Sequence, residues 1–261
     1  MAAKDGYIRK SMLESYDYCP QQFFKQWVLD INKGANQKML IGTRFHDWAE
    51  HFYDHCSSVN PEDWEQLIPE EFNDEEVDMV KWFIHFQRTR YHQLLAEGRE
   101  EEFIPIYREL FMICDAIKIK STLDGAEWVD RAKNEIRLIE YKTGGKLNEE
   151  SAFRQLAFYA CLWGMSGNPG NITTLRLINP RLQMVVDCPL TQDMIEAAML
   201  RVVKLRNAID KSQFPYKCSD GKFAACKLCS MDELPKLFPD DGFKKVTDIY
   251  LDGGVSNVSS Y

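Results

Sequence analysis

An α/β fold, with a small mixed sheet covered by helices, is predicted by three observations on this sequence. Helical periods of apolar residues fill most of the first hundred residues. Residues 103–142 then switch to alternating, β-rich runs. After them the chain alternates helix, strand pair and helix, an order that places helices over a sheet.

The elements follow in order. Residues 11–30 read as a helix or turn-helix anchored by Tyr16, Phe23, Phe24 and Trp27. Residues 37–56 read as an amphipathic helix, because Ile41, Phe45, Trp48, Ala49 and Phe52 recur at helical spacing. Residues 61–80 hold nine acids and no Lys or Arg. Acids favour helix N-termini, so this block reads as a loop that caps the next helix. That helix covers 74–97, with Val77, Val80, Phe83, Ile84 and Tyr91 inward and Gly98 as its stop. Ile104, Ile113, Ile119, Val129, Ile136 and Ile139 mark the strand region, with a hairpin tip at Ala132-Lys133-Asn134-Glu135. Gly144-Gly145 breaks the pattern. A helix over 149–165, strands over 171–179 and 182–188 joined at Asn179-Pro180, and a helix from Thr191 to 211 complete the order.

The chain has 261 residues, 45% of them hydrophobic, which suits one large domain with a packed core. No linker or repeat divides it, so residues 1–240 are expected to form a single domain with its core at 37–211. Residues 241–261 read as a frayed tail. No apolar stretch reaches membrane-spanning length, and MAAKDGYIRK has no apolar signal core. A cytoplasmic location and no membrane partner are therefore expected. Eight cysteines in such a chain read as thiols or metal ligands before disulfides.

The net charge is −8, which taken whole argues against a nucleic-acid partner. The charge is uneven, however. Residues 201–227 carry seven bases, Lys204 and Arg206 among them, against two acids. A phosphate backbone responds to nearby charge and not to the total. From charge alone both faces read as solvated surface.

The chemistry concentrates at Ser121-Thr122-Leu123-Asp124 and Ile139-Glu140-Tyr141-Lys142-Thr143-Gly144. If these lie on hairpin strands, Asp124 and Glu140 approach across the sheet, and Glu140 and Lys142 share one face. Carboxylates crowded on one face are relieved by a divalent cation, and hard oxygen ligands suit Mg2+ or Mn2+. Lys142 can then orient a water or stabilise developing charge. An isolated acid-x-Lys pattern is usually a solvated strand face, as in Asp220-Gly221-Lys222. Its apolar strand, its upstream Asp124 and its Gly-Gly exit set the first match apart.

His46 and Glu50 are four apart on one helix face, as are His51 and His55, which read as solvated. Gln155 and Tyr159 have the same spacing, the polar side of an amphipathic helix. Cys56, Cys114, Cys161 and Cys188 sit singly in apolar elements and read as core residues. Cys226-Lys227-Leu228-Cys229 has the spacing of one metal-ligand knuckle, with Cys218 upstream and Cys19 near the N-terminus. Four thiolates accept zinc or an iron–sulfur cluster; free loop thiols are the plain alternative.

Taken together, Gly42-x3-His46-x3-Glu50, Asp124, Glu140-Tyr141-Lys142 and Gln155-x3-Tyr159 resemble the ordered motifs of the PD-(D/E)XK nuclease superfamily. The likeness is strongest to the RecB/AddB-type branch, which includes CRISPR-associated and phage RecB-like exonucleases, and covers residues 11–230. It implies a restriction-endonuclease-like core and a metal-dependent DNA exonuclease acting on single strands or DNA ends. Asp124, Glu140 and Lys142 would be catalytic. His46, Asp124, Glu140 and the Tyr141 carbonyl would hold Mg2+ or Mn2+. Gln155 and Tyr159 would hold DNA or support Lys142, with Lys204 and Arg206 on a backbone-binding surface. Some relatives staple the core with a [4Fe–4S] cluster, and Cys19, Cys218, Cys226 and Cys229 resemble that set, with zinc as the alternative. Two departures stand out. Ser121 occupies a position that is often Gly in the family, and no Cys follows Cys229. Replication, recombination or CRISPR-adaptation proteins are the partners implied. A nuclease-fold protein that only binds DNA or a partner, or cuts only in a complex, stays open, as does a metal-cluster scaffold without a nucleic-acid role.

Overall fold

In the computed structural model, which describes residues 5–30 and 37–215, proline sets the first break. Helix α1 (Lys10–Tyr18) ends at Cys19, which is extended at φ −160 and ψ 119. The residue before proline is driven out of the helical region, while Pro20 itself opens α2 (Pro20–Phe23). A π-helical turn (Phe24–Val28) follows.

Helices α3 (Gln37–His55) and α4 (Asp74–Ala96) precede the strands β1 (Tyr107–Cys114), β2 (Ile119–Asp130) and β3 (Glu135–Tyr141). Helix α5 (Glu149–Met165), strands β4 (Asn171–Asn179) and β5 (Met184–Pro189), and helix α6 (Gln192–Asp210) complete the order. The strands form one five-stranded sheet in sequence order. The pairs β2–β3 and β4–β5 are antiparallel, and β3–β4 is parallel. A parallel pair needs a crossover, and α5 supplies it. This is the expected mixed sheet flanked by helices.

The chain divides into two compact units. One contains Met1–Lys33, Cys114–Lys120 and Met199–Tyr261; the other contains Gly34–Ile113 and Ser121–Ala198. The expected domain over 1–240 and its tail extend past residue 215, outside the described residues.

The core of the second unit is aromatic. Phe45, Trp48 and Phe52 of α3 meet Phe83 of α4 and Tyr141 of β3. Phe45 and Phe83 stand edge to face at 5.7 Å, and Phe52 and Trp64 at 5.2 Å. Ring quadrupoles favour this arrangement over flat stacking. The α4 face differs from its expected stripe. Val80, Phe83 and Ile84 are buried as expected, and Tyr91 packs half-buried against the same core, on Trp64 and Phe103; Val77 is only half-buried, while Met79 and Leu94 are buried as well.

The acidic block is more structured than a charged loop. Pro61–Leu67 forms a 3-10 helix, and Trp64 is buried, its indole N–H donating to the Cys56 carbonyl at 2.9 Å. The cap of α4 is Asn73, in a reciprocal box with Glu76. Glu76 is itself buried and pairs with Arg44 at 2.5 Å. At the other end Gly98 ends the helical run with φ +69, a conformation that glycine takes without strain.

A second buried carboxylate fixes the sheet. Glu127 of β2, 2% exposed, pairs with Arg90 at 2.8 Å, Arg137 at 2.9 Å and Arg176 at 3.2 Å. Arg176 is also held by Asp187 of β5 at 2.7 Å. Burial alone would raise the Glu127 pKa, but the three guanidinium charges outweigh it and lower the pKa. Its stabilising contribution is therefore present above the ordinary carboxylate value and is lost as pH falls through the lowered one. Replacing Glu127 by Gln removes the buried charge that three half-buried arginines share, leaving Asp187 as the carboxylate beside Arg137 and Arg176. The variant should lose about 3–5 kcal/mol of stability in urea unfolding, and a loss under about 1 kcal/mol contradicts this role.

Candidate active site

All groups of the candidate site lie in the second unit. The β2–β3 register runs from Asp130–Glu135 to Gly125–Ile139. One step further would set Asp124 opposite Glu140. There the backbone ladder stops, and the Asp124 carboxylate takes over: its Oδ2 accepts the Tyr141 N–H at 2.7 Å. The other oxygen, Oδ1, faces His46 Nδ1 at 3.5 Å. Asp124 is 9% exposed, so its charge is largely shielded from solvent.

Glu140 and Lys142 share a face, as strand alternation requires. Lys142 Nζ donates to Glu140 Oε1 at 2.6 Å and to Gln155 Oε1 of α5 at 2.7 Å. Glu140 is 1% and Gln155 5% exposed, whereas Lys142 is 29% exposed. An ammonium has three donors, so one remains for the open side of the site. Tyr141 points the other way, its ring packed against Phe45, Phe83 and His46.

His46 arrives from α3, and Gly42 explains how. A Cβ on Gly42 would lie 2.9 Å from Thr143 Oγ1, tighter than side chains tolerate. Glycine lets α3 approach the exit of β3, and one turn later His46 stands beside the strand ends. Its imidazole faces Asp124 and, at 3.8 Å, Glu109 of β1. Burial would lower the His46 pKa, but these carboxylates and the charge of Glu140 overcome it and raise it to about 10.

His46, Glu109 and Asp124 each offer one donor atom, and all three lie within 4.8 Å of one another. One imidazole nitrogen and two carboxylate oxygens suit a divalent cation such as Mg2+ or Mn2+. The residues present therefore fit the metal that the motif pattern implies. Sequence reasoning missed Glu109. The one local signal is its place in a strand beside the site, and that is not specific.

Two of the residues expected to contact DNA are held within the fold. Tyr159 is 1% exposed within α5, so its ring face is closed to a base. Arg206 donates to the carbonyls of Gly6, Ile117 and Lys118 at 3.0–3.2 Å, so these N–H donors are engaged within the fold. Lys204 is exposed, but Arg201 of the same helix pairs with Asp17 at 2.6 Å. His51 is exposed and bonds the Asp47 carbonyl, and His55 is exposed as expected. Cys56 and Cys161 are buried; Cys114 and Cys188 are half-buried. Cys19 is buried in the first unit, while Cys218, Cys226 and Cys229 lie outside the described residues. Among the described residues, no helix is long and apolar enough to cross a membrane.

The family model of the PD-(D/E)XK nuclease superfamily matches residues 10–234. The chain belongs to the PD-(D/E)XK nuclease superfamily. A crystal structure of a candidate exonuclease from Eubacterium rectale is similar at 11% identity, covering 79% of this chain and 84% of that one, with a TM-score of 0.45. No curated protein matches the chain.

The raised His46 pKa has a measurable sign. In metal-free protein the imidazolium persists through neutral pH; its stabilising contribution is complete below the ordinary histidine value and is lost as pH rises through about 10. An NMR titration of the metal-free chain should show no His46 step between about pH 5 and 8, around the ordinary value near 6.5. A step near that ordinary value contradicts the pairing.

Proposed function

We propose that this chain is a metal-dependent deoxyribonuclease of RecB type, acting as an exonuclease on single-stranded DNA or DNA ends. The observation that carries the reading is the convergence of His46, Asp124 and the Glu140–Lys142 pair where β2 and β3 part. In this reading His46, Asp124, Glu140 and the Tyr141 carbonyl hold Mg2+ or Mn2+. A bound divalent cation supplies Lewis acidity at the phosphoryl oxygen and lowers the pKa of a bound water.

The chain's own groups do the rest. Asp124 is fixed through Oδ2 by the Tyr141 amide, so Oδ1, which faces His46, needs little reorganisation on binding. Glu140 and Gln155 aim Lys142 Nζ, whose remaining N–H orients the attacking water or meets charge developing on the phosphate. Gln155 thus acts through Lys142 rather than on DNA. Lys204, exposed on α6, is the remaining candidate for the DNA backbone. The reading takes 1–240 as the functional domain and 241–261 as a tail outside it. Cys19, Cys218, Cys226 and Cys229 are the proposed ligands of a [4Fe–4S] cluster, with zinc as the alternative. Elemental analysis of anaerobically purified full chain should find one of these metals near stoichiometry; neither iron nor zinc removes the staple.

The test uses 5′- and 3′-labelled strands, linear and circular. Linear single-stranded DNA should be degraded with Mg2+ or Mn2+ and spared in EDTA, and circles should be resistant. Asp124→Asn keeps an acceptor for the Tyr141 N–H and should fold, yet lose at least ~100-fold in rate, as Lys142→Ala should by removing charge stabilisation. Gln155→Ala should lose less. Wild-type rates in Asp124→Asn would refute the site, and cleavage of circles would refute the exonuclease mode.

A further inference from the structure

Glu109 breaks a rule of strand geometry, and the break points it at the candidate metal site. Successive side chains of a strand leave opposite faces. In β1, Tyr107 packs against Trp163 of α5 at 5.6 Å. Arg108 turns to the other side, where it donates to the Glu50 carbonyl at 2.6 Å and pairs with Asp54 at 2.7 Å, both on α3. Alternation would return Glu109 to the α5 side. Instead its carboxylate also reaches α3, at His46. The cause is local: Glu109 has φ +45, a left-handed conformation that non-glycine residues rarely adopt. One such residue within a strand re-aims a side chain, as bulges beside functional sites do.

The re-aimed carboxylate does not make a tight contact. It lies 3.8 Å from His46 Nδ1, and Asp124 lies 3.5 Å from the same atom. Both are beyond good hydrogen-bond distance. They are somewhat wider than the about 3 Å between neighbouring ligands of an octahedral cation with bonds near 2.1 Å, so a small inward movement of the side chains brings all three donors onto one ion. His46 is the ion-pair partner of Glu109 among the described residues. Glu140 Oε1, meanwhile, is already engaged by Lys142. Glu109, Asp124 and Glu140 bring three carboxylates together beside one ammonium, Lys142, an excess of acid that a divalent cation offsets. The His46 and Glu109 side chains are 29% and 31% exposed, so a cation has a way in.

We propose that Glu109 is a further ligand of the divalent cation, completing a set with His46 and Asp124. The proposal rests on reading the site as a metal centre and deepens it. It assigns Glu109 affinity for the ion rather than a part in aiming the water, which stays with Lys142.

The test is Mn2+ binding by the full-length chain, followed by the loss of the free-ion EPR signal, with no nucleic acid present. Wild type should bind one Mn2+ that Asp124→Asn loses. Glu109→Gln should bind at least tenfold more weakly while keeping the wild-type circular dichroism. Glu109→Asp keeps the charge but withdraws it by one methylene and should fall between the two; it also serves if Glu109→Gln fails to fold. Wild-type affinity in both Glu109 variants, with Asp124→Asn still deficient, overturns the role of Glu109 and leaves the metal centre standing. No binding by wild type overturns both.

Discussion

The hydrogen bond from the Tyr141 amide to the Asp124 carboxylate is the contact on which the site depends. An antiparallel ladder that continued past Gly125–Ile139 would pair backbone with backbone and leave both carboxylates on a closed sheet face. Here a side chain takes the amide instead. The strands part, one Asp124 oxygen is immobilised, and the other is left for His46. An amide bonded to a carboxylate is also charge-assisted, so the junction is stronger than the ladder rung it replaces. Everything else converges on this point: α3 through Gly42 and His46, α5 through Gln155, and β1 through Glu109.

Holding carboxylates this close needs a rigid frame, and the frame has its own buried charges. Glu127 ties α4, β3 and β4 together through Arg90, Arg137 and Arg176. On the same face, Tyr141 is locked among Phe45, Phe83 and His46. The residue that donates the decisive amide is thus fixed by its ring. Buried polar groups are costly unless each finds a partner, and in this unit the partners come from elements far apart in sequence. Asn179 does the same at the end of β4, donating to the Gly144 carbonyl at 3.0 Å and accepting the Leu182 amide.

Much of this was legible in the sequence, for definite reasons. The strand alternation that unites Glu140 and Lys142 is a property of any strand, so two residues of spacing sufficed. Thr191 and Gly98 mark helix ends by chemistry that acts within one turn. Gly42 with His46 was readable as a spacing, although the reason, the close approach of Thr143, needed the third dimension. What escaped depends on distant packing. Residues 155–163 of α5 are buried without interruption, so Tyr159 lies inside the fold rather than on a solvated face. The three carbonyl partners of Arg206 escaped because charge does not reveal a partner. Glu127 gave no sign, since its arginines lie 37, 10 and 49 residues away in sequence. Glu109 sits in Tyr107-Arg108-Glu109-Leu110, where nothing announces a left-handed backbone.

The central claim is that a divalent cation binds where Asp124 parts the two strands, and locating that ion tests it most directly. Crystals of the full-length protein equilibrated with Mn2+ should give an anomalous difference peak in contact with the His46 ring nitrogen and an Asp124 oxygen, within the ~2.0–2.3 Å of such bonds. A peak only on the acidic surface of residues 61–80, with none beside Asp124, would contradict the account.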